Sequence, residues 1–89
     1  MTITYYGQMK DVKQNTRCAE IGFNEYSEKD TKLADRLIDL MEKVTDWKCS
    51  GGFEDCYLVK VEDREDFEEF KKWYKEAKKT LMNCMKYGF

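Results

Sequence analysis

Histidine is absent from the 89 residues. That removes Ser-His and Cys-His dyads, imidazole metal ligands and the usual proton shuttle near neutral pH. No apolar run is long enough to cross a bilayer, and no basic leader with an apolar stretch opens the chain, so a cytoplasmic protein without a membrane span is expected. A basic excess is lacking as well: 16 Lys and Arg face 18 Asp and Glu, for a net charge of −2. Nucleic-acid binding, which rests on positive charge displacing counterions, therefore starts as the lesser reading. Proline is also missing. With the many Lys, Asp, Glu, Tyr and Asn residues, this fits an AT-rich coding sequence such as that of a low-GC bacterium or its phages.

The four cysteines, Cys18, Cys49, Cys56 and Cys84, contain no close C-x₂₋₄-C knuckle. A zinc site gets little support from them, and without an export signal free thiols are expected rather than disulfides. Cys49 and Cys56 bracket a glycine-containing stretch and could meet across a hairpin as a redox clip, although buried thiols behaving as small hydrophobes are the favoured reading. Ser50-Gly51-Gly52 lacks the Lys-Ser/Thr of a phosphate loop, and turn chemistry accounts for it. No cofactor or metal is expected.

What the chain does have is 42% hydrophobic residues, including six Tyr, five Phe and two Trp. A core can therefore form, but only one, and a scaffold of this length holds about 3–5 kcal/mol of stability. A homodimer contact or a bound partner would add to that.

The residue pattern predicts one α+β domain over residues 1–89. Thr2 to Tyr6 is β-rich and alternating, with Gly7 as its end, and residues 8–16 form a polar loop. Residues 17–23 form a second strand with Ala19, Ile21 and Phe23 on one face. Ser27 and Asp30 make a capping box. The helix behind it carries Leu33, Leu37, Leu40, Met41 and Val44 as its stripe, widened by Ala34 and Ile38. Residues 47–49 form a short extended exit, residues 50–52 a turn, and residues 56–61 an interior strand with Tyr57, Val59 and Val61 on one face.

Asp63 and Asp66 repeat the capping pattern. The second helix then runs to about residue 86 with Phe67, Phe70, Tyr74, Ala77, Leu81 and Met85 on its stripe. Leu33, Leu37, Leu40 and Val44 fall on Phe70, Tyr74, Ala77 and Leu81 when one helix is laid on the other. Two β-β-α units are therefore expected, forming a mainly antiparallel sheet of three or four strands with both helices on one face.

Two surfaces are candidates for function. The acidic set Glu62, Asp63, Glu65, Asp66, Glu68 and Glu69, with Trp47, Trp73, Tyr87 and Phe89 as aromatic anchors, would suit a basic protein partner. Capping and solvation of a helix start explain the same acids without any partner. Tyr5, Tyr6 and Tyr26 add to a surplus of aromatics for so small a fold. Lys71, Lys75, Lys78 and Lys79 near Trp73 offer the alternative, a face for nucleic acid. The expected function is binding rather than catalysis: a small protein-binding module that modulates or inhibits a partner, of viral or prophage type. A nucleic-acid accessory protein and a thiol-redox or zinc protein are the alternatives.

Overall fold

The computed structural model describes residues 1–6 and 17–86, with side chains through residue 84. The expected end at Gly7, the loop over residues 8–16 and the anchors Tyr87 and Phe89 lie outside the described residues. The elements follow in the order β1 (Thr2–Tyr6), β2 (Cys18–Gly22), α1 (Glu28–Val44), β3 (Cys49–Phe53), β4 (Cys56–Lys60) and α2 (Arg64–Lys86). The strands form one antiparallel sheet ordered β1-β2-β4-β3. Each half of the chain thus supplies a hairpin and a helix, and each places its second strand at the centre, as the two-unit reading expects.

Alternation along the strands divides the sheet into two faces. Ile3 and Tyr5 of β1, Ala19 and Ile21 of β2, and Tyr57 and Val59 of β4 turn to the helices. They share one core with Leu37, Ile38 and Met41 of α1 and Phe67, Phe70, Tyr74 and Ala77 of α2. The largest fully buried side chains are Phe70, Ile21, Leu37, Met41 and Val59. On the opposite face, Thr2, Thr4, Tyr6 and Lys60 are exposed, Glu20 and Leu58 are half-buried, and Cys18 and Cys56 are buried.

Both helices begin on the residues the capping pattern selects. Ser27 Oγ accepts the N–H of Asp30 at 3.2 Å. The Asp30 carboxylate then reaches past Ser27 to the N–H of Asn24 at 2.7 Å, so this box spans the preceding turn instead of closing on itself. At α2, Asp63 Oδ1 accepts the N–H of Asp66 at 2.8 Å, and Asp66 Oδ2 accepts the N–H of Glu62 at 2.9 Å.

Two expectations are corrected. Ser50, Gly51 and Gly52 are not the turn but part of β3; pairing of Phe53 with Cys56 leaves Glu54-Asp55 as the connection. Glycine is used here for close approach: a Cβ on Gly52 would lie 2.7 Å from the Cys56 carbonyl oxygen. Val44, placed on the buried stripe by its spacing, is 60% exposed. It is the last residue of α1, where Thr45 caps the Met41 carbonyl and the helix has run past the core.

Candidate interaction surfaces

Three of the six acidic side chains at the start of α2 are engaged within the fold. Asp63 and Asp66 cap the helix, and Glu68 pairs with Arg64 at 3.5 Å. The Glu62 carbonyl accepts the Arg17 guanidinium at 2.9 Å, which ties the helix start to β2. This leaves the exposed carboxylates of Glu62, Glu65 and Glu69 as charge directed to solvent.

The two tryptophans are structural neighbours rather than protruding anchors. Trp47 meets Phe70 edge-on with ring centroids 5.2 Å apart and Trp73 at 6.2 Å, and Trp73 stacks on Phe70 at 6.1 Å. The Trp47 indole N–H donates to Asp66 Oδ1 at 3.1 Å. Trp47, Glu62 and Asp66 do come together, lining a hollow of about 370 Å³ with Asp46, Lys48, Lys60 and Val61. Sequence separation hides that convergence, because it depends on β3 and β4 being paired. Of the other aromatics, Tyr5 packs on Phe67 at 5.0 Å under the Arg64 guanidinium, whereas Tyr26 is 91% exposed.

The cysteines are free thiols. Cys49 lies opposite Val59 and Cys56 opposite Phe53, so the hairpin does not bring the pair together and the proposed clip has no geometric basis. Burial pushes the Cys18 and Cys56 thiols up from their usual range, with the Glu20 carboxylate adding to the effect. Protonated thiols are poor nucleophiles and poor metal ligands. Among the described residues, no group of three or more Cys, Asp or Glu side chains is arranged to hold a metal ion.

A further concavity lies along the second half of α2. β1 runs antiparallel to this helix: Tyr5 meets Phe67, while Ile3 and Met1 lie beside Tyr74, Lys75, Lys78 and Met82. Between strand and helix is a groove of about 430 Å³, floored by Met1, Ile3, Tyr74 and Met82 and rimmed by Lys75, Lys78, Lys79 and Asn83. It continues toward Ser27, Asp30 and Leu33 at the start of α1 through a second hollow of about 340 Å³, which shares Met1, Lys78 and Met82. Lys71 falls outside it, in a smaller depression of about 220 Å³ with Glu68, Glu69, Lys72 and Lys75.

Lys75, Lys78 and Lys79 have no carboxylate partner among the described residues, and the Lys78 ammonium lies 5.9 Å from the centre of the Tyr74 ring. Tyr74 itself is 4% exposed, and its hydroxyl meets no hydrogen-bond partner among the described residues. Burial pushes its phenol up, and Asp30 contributes in the same direction. The lysines are legible in the sequence. Their apolar floor is not, since Met1, Ile3 and Met82 reach the site only through the docking of β1 against α2.

No family model matches the chain, and no curated protein or solved structure gives a match. Among the described residues, no helix is long and apolar enough to cross a membrane.

Proposed function

We propose that this protein is a small protein-binding module that acts by occupying a surface of its partner, and that it engages that partner through the groove between β1 and α2. The observation that carries this reading is the combination of an apolar floor with lysines that have no carboxylate partner among the described residues. Methionine and isoleucine on the floor gain by losing water, and Met82, 44% exposed, adapts its shape to what covers it. Unpaired ammonium groups at the rim steer and select an acidic partner. Modulation or inhibition of that partner follows if the covered surface is one the partner needs, and a phage or mobile-element origin fits the composition and size.

The test is affinity capture from nuclease-treated low-GC bacterial lysate, comparing the unaltered chain with Lys75→Glu/Lys79→Glu and with Glu65→Lys/Glu69→Lys. The groove reading expects a protein retained by the unaltered chain and by the second variant and lost from the first. Loss only from the second variant would return the function to the acidic face.

Nucleic acid is the second reading, favoured by the same unpaired lysines together with Lys71. Among the described residues, the groove offers a base no exposed aromatic plane, because Tyr74, the aromatic in its floor, is itself buried. Glu68 and Glu69 flank Lys71 and would repel a phosphate chain there.

A further inference from the structure

Among the described residues, β1 stands at one edge of the sheet and β3 at the other, and the two edges are defended differently. β3 carries a register irregularity between Cys49 and Gly51 and two glycines, features that spoil it as a template. β1 is Thr-Ile-Thr-Tyr-Tyr, without a charge, a glycine or a proline, and it pairs with β2 in an unbroken register over all five residues. Edge strands that must not pair further normally have a lysine, a proline or a bulge to stop them. Within β1 none of these is present.

The groove lies directly beside this edge, with Ile3 common to both. A strand added at the outer side of β1 would sit about 4.8 Å from it, and its alternate side chains would project toward the helix layer. There they meet Ile3 and Met82 on the floor and the ammonium groups of Lys75 and Lys79 on the rim. We infer that β1 and the groove together receive an extended acidic segment of the partner, added as a fifth strand with its carboxylates on Lys75, Lys78 and Lys79. The inference rests on the groove being the binding surface and goes further in naming what enters it. A second copy of this chain suits the edge less well, because pairing β1 with its own copy brings two lysine rows toward each other.

The experiment uses the intact protein and the peptide acetyl-Glu-Ile-Glu-Val-Glu-Ile-Glu-amide. Two controls are the same peptide with alternate backbone nitrogens methylated and a version with every Glu replaced by Lys. Fluorescence anisotropy gives affinity, and amide hydrogen exchange reports on residues 2–6. The acidic peptide is expected to bind at least tenfold more tightly than either control, to slow exchange in β1, and to lose at least tenfold in affinity with Lys75→Glu/Lys79→Glu. Circular dichroism confirms that this surface variant is folded. Equal binding of the methylated peptide would overturn strand addition, and equal binding of the lysine peptide would overturn the charge assignment. Tighter binding of a ten-residue oligothymidine than of the acidic peptide would overturn the inference in favour of nucleic acid, and concentration-dependent dimerisation through β1 would overturn it in favour of a second copy. If the peptide fails while lysate capture still depends on Lys75 and Lys79, the strand inference falls and the groove reading stands.

Discussion

The indole N–H of Trp47 donates to Asp66 Oδ1 at 3.1 Å, while the other oxygen of the same carboxylate accepts the N–H of Glu62 at 2.9 Å. One side chain thereby fastens the start of α2 to the segment entering β3, and an aromatic and an acid that resemble binding residues are used to hold the fold.

Replacing Asp66 with Ala should cost about 1–3 kcal/mol, since it strands a half-buried indole N–H and removes the acceptor of the Glu62 N–H just before the helix. Glu65→Ala, at an exposed position, should stay within about 0.5 kcal/mol. Urea unfolding followed by tryptophan fluorescence compares the two. Equal effects would show that Asp66 contributes only surface charge.

The adjacent glycines of β3 should respond in opposite ways. A Cβ at Gly52 would meet the Cys56 carbonyl oxygen at 2.7 Å and Tyr57 Cδ1 at 3.3 Å, whereas nothing lies within 4 Å of one at Gly51. Gly52→Ala should therefore lower the midpoint of thermal unfolding, and Gly51→Ala should leave it unchanged or raise it slightly by restricting the unfolded chain. Scanning calorimetry of both variants decides.

Stability should also fall at alkaline pH, with part of the loss traceable to one pair. The hydrogen bond from Tyr57 to the Asp35 carboxylate, aided by burial, pushes the Tyr57 phenol up to about 12 from 10.0. A group whose folded value is raised contributes its stability in full below the unfolded value and loses it as pH rises through the folded one. The unfolding free energy should thus decline between about pH 10 and 12, less steeply in Asp35→Asn. Denaturant titrations across that range test it; identical slopes would remove the pair from the account.

Thiol labelling of the native chain should be selective. Cys49 and Cys84 are half-buried, whereas Cys18 and Cys56 are 2% and 6% exposed with thiols pushed up by burial. A maleimide should modify the first two well before the second two, and all four should react once the chain is denatured. Fast native reaction at Cys18 or Cys56 would revive a redox role.

Much of the fold was legible because it is written locally. The helix stripes, the caps at Ser27 and Asp63 and the alternation in β2 and β4 each occupy a few adjacent residues, and the β-β-α repetition follows from their order. Val44 and Gly51-Gly52 misled because the same local signal has two physical uses. An apolar residue at helical spacing is buried only while the helix stays over the core, and a glycine pair serves close approach as well as a turn. For the groove, the lysines of α2 showed as a stripe, but pairing of strand order with helix position decides that Met1 and Ile3 lie beside them. Such long-range placement leaves no periodic trace in a single sequence.

Lysine acetylation footprinting of the chain, free and bound to the protein it retains from lysate, tests the central claim most directly. Binding in the groove predicts that Lys75, Lys78 and Lys79 are protected while Lys48 and Lys60, which line the Trp47 hollow, react at unchanged rates. Protection of Lys48 and Lys60 with Lys75, Lys78 and Lys79 unaffected would contradict it and place the partner on the acidic, tryptophan-bearing end of the molecule.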